Sequence, residues 1–402
     1  MRVAVVGLRG IPGVMGGVET HCEEMFPRLR KLRPHDDFTV LMRRAYVPSA
    51  GSDFGGLSLV SLPHLRGKNW EAISSTVCGI FYSRFRLKAD VLHIQGIGPA
   101  LLAPLARLLG QSVIVTYHSR NYDHAKWSRI GRWALRLGEL NALLFANRVV
   151  VIADWLGRDV RERYPAFAEK VRVVPNGADH LANETANTDA ARAIMERHGL
   201  QPSAFTICVG RLVPEKGFDV IVDALARLPH PAKLVICGGA DHADAYSRKL
   251  LERASDRVIF TGALERPTLA ALLGQASLFV LPSYHEGLPI AALEAARAGL
   301  PILLSEIDAN RDLHLPPDCY FKAGDVAGLA EKLSQPPETY RIEADRLLRR
   351  FAWDASAQTL NAVYEDVRPR ATWAAALRRR LLPRPAAPLS EVGANAQPNV
   401  SG

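Results

Sequence analysis

The chain has 402 residues, more than one hydrophobic core usually supports, so its length predicts two domains. A hydrophobic fraction of 48% and a charged fraction of 23% are typical of a globular protein and exclude a largely disordered chain. The formal net charge of +9 favours an anionic partner. The basic residues are dispersed and form neither an RNA-binding motif nor a zinc-finger pattern, so an anionic membrane surface or a phosphorylated small molecule is a better candidate than nucleic acid.

No run of eighteen uncharged apolar residues occurs, so no transmembrane helix is predicted. The first residues, MRVAVVG, are typical of a short strand and contain no apolar signal-peptide region. The five cysteines are widely spaced and include no C-x-x-C pair, which predicts neither a disulfide framework nor a zinc site. These features favour a protein of the reducing cytoplasm.

Short β-branched runs alternate with helical patterns along the whole chain. The predicted strands are 2–6, 39–42, 91–94, 113–117, 148–152, 172–174, 205–209, 233–237, 257–260, 278–281 and 302–304. A helix is predicted over 215–228, where apolar residues form one stripe at helical spacing. This alternation predicts an α/β fold of two doubly wound, Rossmann-like units whose parallel sheets are covered by helices on both faces.

The pattern starts again after VVPNGADH, where the polar run LANETANTDAARA precedes a new strand, FTICVG. We therefore predict a first domain over 1–185 and a second over 186–350. The last residues, 385–402, are rich in Pro, Ala and Gly and are predicted to be a disordered tail. In doubly wound sheets, ligands bind beyond the carboxyl ends of the strands, and the candidate residues below fall in such loops.

The loop after the first strand, GLRGIPGVMGGVET, is rich in glycine and leads into a helix. Glycine lets the backbone approach a ligand closely, and a helix N-terminus favours an anion. Gly16 and Gly17, next to the helix start, are the informative pair, with a flexible turn as the alternative. The G-x-G-x-x-G spacing is absent, which disfavours a dehydrogenase.

The segment VTYHSRNYDHAKW places His118 directly past the carboxyl end of a strand. A single histidine is more often structural than catalytic, but this position at a strand end makes a catalytic role about equally plausible. Arg120 and Asp123 share the loop and are weaker candidates.

The segment VGRLVPEKGFDVI ends another strand, with Arg211 leaving the strand and Lys216 near the start of the next helix. Two cations beside a helix N-terminus suit a diphosphate. Solvated surface charge is the alternative interpretation.

The segment LPSYHEGLPIAALEAARAGLPILLS contains two glutamates in a stretch that otherwise suits burial. A buried carboxylate needs partners because removing its charge from water is costly. Glu286 is predicted in a loop at a helix entrance and Glu294 a turn or more along the helix, at most about 12 Å away. Since carboxylates accept hydrogen bonds from sugar hydroxyls, the pair could bind the two ends of an extended sugar-containing ligand.

Together, HEGLPIAALEAARAG with its E-x7-E spacing, VGRLVPEKG and VVPNGAD resemble the retaining, nucleotide-sugar-dependent glycosyltransferases of family 4. The resemblance extends to about residue 365 and implies the GT-B fold, in which two Rossmann-like domains face each other across a cleft. GLRGIPGVMGGVET is similar to the bacterial branch that builds cell-surface polysaccharides and includes rhamnosyltransferase-like members. FAWDASAQTLNAVYEDV is similar to the family's C-terminal crossover helix, which implies that the segment 351–384 packs back on the first domain and ends in basic residues.

The resemblance also implies roles for individual residues. Arg211 and Lys216 would neutralise the diphosphate of the donor, Glu286 would contact the transferred sugar, and Glu294 the ribose hydroxyls. His118 would lie near the reacting anomeric centre. The remaining assignments are Gly16 and Gly17 against the phosphates, Phe260, Thr261 and Gly262 around the base, Gly287 and Leu288 beside Glu286, and Arg120 and Asp123 for the acceptor.

The reaction implied is transfer of a sugar from a nucleoside diphosphate sugar to a lipid-linked or saccharide acceptor, with retention of anomeric configuration. No cofactor or metal is expected, because the two cations would stabilise the leaving diphosphate and no D-x-D motif occurs.

The basic segment RPRATWAAALRRRLLPR suggests docking on the anionic inner face of the cell membrane, with a helix packed on the first domain as the alternative. A nucleotide-sugar epimerase or hydrolase of the same fold and a non-catalytic nucleotide-sugar binding protein remain open.

Overall fold

The computed structural model describes residues 1–14, 16–47, 53–65, 67, 70–123, 127–179, 188–230, 232–240 and 245–367. The predicted domain boundary at 185/186, the basic segment 368–384 and the tail 385–402 lie outside these residues.

An eight-stranded sheet forms the first half of the chain, which we call the N-lobe. Its strands are β1 (Arg2–Val6), β2 (Asp37–Arg43), β3 (Asp53–Phe54), β4 (Leu57–Leu62), β5 (Val91–Gln95), β6 (Ser112–Tyr117), β7 (Arg148–Val151) and β8 (Val171–Val173). Their order is β3-β4-β2-β1-β5-β6-β7-β8, and the strands run parallel except for the β3–β4 pair. The sequence interpretation omitted β3 and β4.

A six-stranded, fully parallel sheet forms the second half, which we call the C-lobe. Its strands are β9 (Phe205–Val209), β10 (Lys233–Cys237), β11 (Val258–Gly262), β12 (Leu278–Leu281), β13 (Ile302–Ser305) and β14 (Tyr320–Phe321). Their order is β11-β10-β9-β12-β13-β14. The two-residue strand β14 was not predicted, whereas the other five strands match predicted runs to within a few residues.

Helices cover both faces of each sheet. In the N-lobe they are α1 (Gly17–Leu32), α2 (Glu71–Phe81, continued by a π-helical turn to Arg86), α3 (Ile97–Ala100), α4 (Ala103–Leu108), α5 (Arg129–Phe145) and α6 (Asp154–Arg163). The later helices are α7 (Thr188–His198), α8 (Phe218–Leu225), α9 (Ala245–Leu251), α10 (Arg266–Leu273), α11 (Ile290–Arg297), α12 (Asp308–Arg311), α13 (Val326–Leu333), α14 (Ala344–Arg350) and α15 (Trp353–Val367).

The helix in this region, α8, is shorter than the helix that the apolar stripe predicted over 215–228. Residues Pro214–Lys216 form a single 3-10 turn, and α8 begins only at Phe218. Gly217 separates them with φ +62, a left-handed conformation that favours glycine and breaks the helical path. Its Cα also lies so close to the next loop that an added Cβ would be 2.3 Å from the Pro282 carbonyl oxygen. The turn therefore holds Lys216 outside the helix and next to that loop.

The C-terminal helix α15 packs on the N-lobe and not on the C-lobe that precedes it. Its buried side chains share one core with α1, β1 and β2. The Tyr364 hydroxyl is hydrogen-bonded to His93 Nδ1 of β5 at 2.8 Å, and Arg33, which follows α1, contacts Glu365 at 2.6 Å. The chain thus crosses between the lobes twice, once after β8 and once before α15.

Candidate active site

Two loops of the C-lobe lie side by side where the strand order of its sheet reverses. Strands β9 and β12 are neighbours although β10 and β11 separate them in sequence, and a crevice for a ligand opens at such a reversal. Residues 210–217 follow β9 and residues 282–289 follow β12. The backbone N–H of Tyr284 donates to the Glu215 carbonyl at 2.8 Å, which joins the two loops directly.

Each of these loops contributes one charged side chain to a close ion pair. Lys216 Nζ lies 2.6 Å from Glu286 Oε1, and the Ser283 hydroxyl donates to the same oxygen at 2.6 Å. The side chains of Lys216 and Glu286 are only 19% and 10% exposed. A charge-assisted hydrogen bond in such a sheltered place is stronger than one at the surface. Two residues that the sequence nominated separately therefore form one unit.

Arg211 and Glu294 lie on the same two chain segments as this pair. Arg211 is half-buried and directly follows Gly210 at the end of β9. Pro289 precedes α11, so Glu286 lies in the loop before the helix and Glu294 in its second turn, as the sequence predicted. Glu294 is half-buried between buried neighbours, Leu293 and Ala295.

The residues expected around a base lie at the end of β11, which β10 and β9 separate from β12 in the sheet. Phe260, Thr261 and Gly262 are all half-buried. The Gly262 carbonyl accepts hydrogen bonds from the Gly238 N–H at 2.8 Å and from the Thr261 hydroxyl at 2.9 Å. The local backbone is therefore fixed beside the loops that follow β9 and β10, while its role in binding a base stays a prediction.

The loop that carries Glu286 lies directly against His118 of the N-lobe. A Cβ added at Gly287 would be 1.9 Å from the His118 carbonyl oxygen, so only glycine fits there without displacement. The Trp155 indole N–H donates to the Gly287 carbonyl at 2.7 Å, and the next residue, Leu288, is buried. The Lys216–Glu286 pair and His118 are thus on facing sides of one contact between the lobes.

The His118 ring is buried and neutral. Its Nε2–H donates to the Gln95 side-chain oxygen at 2.9 Å. Burial is the main cause that lowers the pKa of His118 well below the usual value of 6.5, with a smaller contribution from His21 and His93. The imidazole can therefore exchange hydrogen bonds with a substrate but does not carry a positive charge near neutral pH.

Gly16 and Gly17 stand at the start of α1, where an ion pair closes the loop after β1. Arg9 binds Glu19 through Nε and Nη2, both at 3.1 Å, and its backbone N–H donates to the same carboxylate at 3.0 Å. Gly16 has φ +155, and a Cβ there would lie 2.2 Å from Glu19 Oε2. Glycine at position 16 allows this backbone conformation and leaves room for the Arg9–Glu19 pair. A contact of Gly16 and Gly17 with phosphates stays a prediction.

Arg120 and Asp123 bind each other within the N-lobe. Arg120 Nε lies 3.0 Å from Asp123, and its Nη1 lies 3.1 Å from Asp159 of α6. The Arg120 guanidinium also stacks 5.3 Å from the Trp155 ring centroid. These contacts brace the loop after His118, and the assignment of both residues to an acceptor stays a prediction.

Two residues that the sequence interpretation did not nominate join the lobes beside this site. Asp312 of the C-lobe is buried and accepts from the Trp155 backbone N–H at 3.1 Å and from Arg158 at 3.2 Å. Trp155 therefore contacts both Asp312 and Gly287. A tryptophan directly after a strand end, in IADWLG, was the available signal for Trp155; no local signal identifies Asp312 as its partner.

The structure resembles solved enzymes with two Rossmann-like lobes. Sucrose-phosphate synthase from Thermosynechococcus elongatus superposes with a TM-score of 0.76 at 20% identity, covering 90% of this chain and 98% of that one. Anabaena HepE in complex with UDP-glucose superposes with a TM-score of 0.70 at 16% identity, covering 91% and 99%. Two parallel doubly wound sheets in this arrangement define the GT-B fold, the class to which this chain belongs.

In the sequence comparisons, each lobe matches a family model of glycosyltransferases. Residues 15–180 match the family model described as Glycosyltransferase Family 4, and residues 191–335 match the one described as Glycosyl transferases group 1. The alpha-D-kanosaminyltransferase of Streptomyces kanamyceticus is 25% identical over 317 residues, which are 72% of this chain and 81% of that enzyme. The N-lobe is accordingly similar to Glycosyltransferase Family 4 and the C-lobe to glycosyl transferases group 1, and the chain is a glycosyltransferase.

Among the described residues, no helix combines the length and the apolar character needed to span a membrane. Within the same part of the chain, no three His, Cys, Asp or Glu side chains are grouped as a metal site would require.

Proposed function

We propose that this enzyme transfers a hexosyl or deoxyhexosyl group from a nucleoside diphosphate sugar to a lipid-linked or saccharide acceptor, with retention of anomeric configuration. The observation that carries the proposal is the Lys216–Glu286 pair, 2.6 Å apart, whose glutamate lies in the loop that contacts His118 through Gly287. The similarity to HepE in complex with UDP-glucose supports a nucleotide-sugar donor. Synthesis of a bacterial cell-surface polysaccharide, in the cytoplasm, is the setting we propose.

The donor diphosphate would take over the cations of this site. Lys216 is neutralised by Glu286 in the structure described, and an incoming diphosphate carries more negative charge than one carboxylate. Lys216 and Arg211 would therefore turn to the phosphates, since both leave the carboxyl end of β9. Glu286, still held by the Ser283 hydroxyl, would accept hydrogen bonds from the transferred sugar, and Glu294 from the ribose.

Bond breaking at the anomeric carbon leaves negative charge on the diphosphate and positive charge on the sugar. Lys216 and Arg211 would stabilise the leaving group, the kind of electrostatic contribution that is usually largest in enzymes, without a metal ion. We propose attack from the same face: the acceptor oxygen bonds to the anomeric carbon as the bond to phosphate breaks. The acceptor hydroxyl proton passes to the departing phosphate oxygen. Neutral His118 would orient a sugar hydroxyl next to this centre.

The test uses two substitutions in the pair and one matched control. Lys216→Ala and Glu286→Gln are expected to lower kcat by about 10² or more, the usual effect of removing one group that stabilises the transition state. Lys249→Ala on α9 changes an exposed lysine of the same lobe and should leave the rate unchanged. UDP-glucose, UDP-galactose, GDP-mannose and dTDP-rhamnose serve as donors, EDTA tests the metal independence, and NMR identifies the product anomer.

Other outcomes would favour other functions. Donor breakdown that added acceptors neither accelerate nor convert into a glycosylated product would favour a nucleotide-sugar hydrolase or epimerase. Donor binding with no turnover in the presence of membrane lipid or oligosaccharide acceptors would favour a non-catalytic binding protein. Full activity of either pair variant would contradict the site assignment.

We further propose that the N-lobe docks on an anionic membrane surface through the start of α5. Ile130 and Trp133 are 80% and 65% exposed there, and Arg129 and Arg132 beside them are exposed as well. Tryptophan and aliphatic side chains flanked by arginines suit the boundary between lipid headgroups and acyl chains. The helix α5 follows the loop of His118, so docking would bring a lipid-linked acceptor close to the site.

Vesicle sedimentation tests this docking. The enzyme should bind vesicles of phosphatidylglycerol more strongly than vesicles of phosphatidylcholine and should detach as salt screens the charges. The double variant Ile130→Ser with Trp133→Ser should lose binding, whereas Leu251→Ser, which changes an exposed leucine of the C-lobe, should retain it. Equal binding to both vesicles would contradict the proposal.

A further inference from the structure

A second histidine packs edge to face against His118. His21 lies on α1, is completely buried, and its ring centroid is 5.0 Å from that of His118 with an interplanar angle of 85°. The two rings come from α1 and from the end of β6, which are far apart in sequence. Within the described residues, the His118 side chain is hydrogen-bonded to Gln95, and the ring contact with His21 is the other major constraint on its orientation.

His21 is in turn held by the two segments that cross between the lobes. Its Nδ1–H donates to the Asn176 side-chain oxygen at 2.7 Å, and Asn176 lies just after β8, where the chain first leaves the N-lobe. On its other side, the Trp353 ring centroid is 6.1 Å away at an angle of 64°. Trp353 begins α15, the helix by which the chain returns to the N-lobe.

The two crossing segments are fixed to each other at this point. The Ala178 N–H donates to the Phe351 carbonyl at 2.9 Å, and the Trp353 N–H donates to the Asp179 carboxylate at 2.8 Å. Gly177 lies so close to Trp353 that an added Cβ would be 2.4 Å from the Trp353 backbone nitrogen. A continuous set of contacts thus runs from the crossing segments through His21 to His118.

The cluster is polar but incompletely hydrogen-bonded. His21 Nε2, His118 Nδ1 and Gln95 Nε2 are buried and make no hydrogen bond to other described residues. Buried polar atoms without partners are rare in proteins, and a catalytic role is one of the explanations for them. Burial lowers the pKa of His21 to about 4, so both rings are uncharged near neutral pH and do not repel each other.

We propose that His21 is a positioning residue: held by Asn176 and Trp353, it fixes the orientation of the His118 ring toward the transferred sugar. The inference rests on the function proposed above, in which His118 contacts that sugar. The first turn of α15, which follows the C-lobe in the chain, would thereby support His118 on the N-lobe side of the site. A misplacement of about 1 Å at a reacting centre can cost about 10² in rate, so a small tilt of His118 would be measurable.

The experiment compares donor turnover in full-length variants, with water as acceptor or, where water is not used, with the membrane-lipid or oligosaccharide acceptors of the functional test. The donor is whichever of UDP-glucose, UDP-galactose, GDP-mannose or dTDP-rhamnose the unsubstituted enzyme turns over. Its nucleoside diphosphate is titrated by calorimetry to count intact sites, so that kcat is expressed per binding site and partial unfolding does not lower it. His21→Ala and Asn176→Ala should lower kcat at least about tenfold while the donor KM stays within about twofold.

Two further variants make the result specific. His21→Phe retains an aromatic edge against His118 and should recover part of the kcat that His21→Ala loses. Tyr364→Phe removes a comparable buried hydrogen bond, that of α15 to His93, without touching the neighbours of His118, and should leave kcat unchanged.

The outcomes separate the inference from the function on which it rests. If His21→Ala and Asn176→Ala keep the unsubstituted kcat per site, or if Tyr364→Phe loses as much as Asn176→Ala, the positioning role is refuted and the proposed transferase function stands. If the unsubstituted enzyme turns over none of the four donors, either with water or with the lipid and oligosaccharide acceptors, the proposed function fails and the positioning role fails with it.

Discussion

Lys216 and Glu286 are separated by seventy positions in the chain, yet their side chains touch. Each could be nominated from the sequence, because each follows a predicted strand and lies at or just before the start of a predicted helix. Their direct contact could not, because it depends on β9 and β12 being neighbours and on Gly217 ending the helical path early. The residue types predicted a diphosphate and sugar site; the pairing explains how the cation and the carboxylate are kept in place before a donor arrives.

Gly287 gives the sharpest prediction for a single residue. Gly287→Ala would place a Cβ 1.9 Å from the His118 carbonyl oxygen, so the loop must move away from the N-lobe. We expect the free energy of unfolding to fall by about 1–3 kcal/mol, as overpacking usually costs, and kcat to fall by about 10² because Glu286 moves with the loop. Urea denaturation and donor turnover measure the two effects.

The matched control is Gly274→Ala. Gly274 follows the last residue of α10 with φ −63, and an added Cβ would meet its nearest neighbour, the Ala271 carbonyl oxygen, at an ordinary 3.5 Å. The free energy of unfolding of Gly274→Ala should differ from that of the unsubstituted protein by less than about 0.5 kcal/mol. Equal behaviour of the two variants would show that the contact with His118 does not constrain the loop.

At the scale of elements, the N-terminus of α6 is capped by the other lobe. The helix begins at Asp154 after Ala153, whose side chain cannot cap it. The carboxylate of Asp312 accepts the Trp155 N–H instead, and a negative charge at a helix N-terminus is also favoured by the helix dipole. The sequence shows that Ala153 cannot cap α6. It does not show that Asp312 takes over this role, because Asp312 is 157 positions from Trp155.

Asp312→Ala should therefore weaken the junction between the lobes. We expect a loss of about 1–2 kcal/mol in the free energy of unfolding, the usual cost of removing a cap. Circular dichroism during urea unfolding measures it. Asp318→Ala, which removes an exposed carboxylate of the same lobe, is the control and should unfold like the unsubstituted protein. A loss no larger for Asp312→Ala than for this control would contradict the capping role.

Most strands could be predicted, because buried parallel strands are short, nearly continuous apolar runs. For the same reason, the sequence showed that a second series of strands begins at FTICVG. The strands that were missed are the short or outer ones: β3 and β14 have two residues each, and β4 lies next to the sheet edge. The run LSLVSL of β4 does alternate, so that omission was avoidable. The support around His118 was not predictable, because His21, Asn176 and Trp353 meet only after the chain has crossed between the lobes twice.

At the scale of the whole molecule, stability should depend on pH through buried neutral histidines. Burial is the largest cause that lowers the pKa of His21 to about 4 and of His93 to about 3, and it lowers that of His118 as well. The unfolded chain binds protons on these rings below about pH 6.5, whereas the folded protein does not until the pH approaches the lowered values. Their contribution is therefore complete above pH 6.5 and is lost progressively as the pH falls toward 4.

Each such histidine should reduce the free energy of unfolding by about 1.4 kcal/mol per pH unit within that window. Urea unfolding at several pH values between 7.5 and 5 measures the slope. His93→Asn removes one of the three rings away from the site and should give a shallower slope. An unchanged slope in this variant would mean that His93 does not remain neutral in the folded protein.

The return of α15 to the N-lobe also has a consequence for biosynthesis. A ribosome that has finished β8 has made every strand of the first sheet, but Leu360, Val363 and Tyr364, which cover the apolar side of α1, do not yet exist. The nascent polypeptide must therefore carry an unfinished first core through the whole synthesis of the second, and contacts between such distant segments form slowly. Translation that stops before Trp353 should yield a chain prone to aggregation, even though it already contains Lys216, Glu286 and His118.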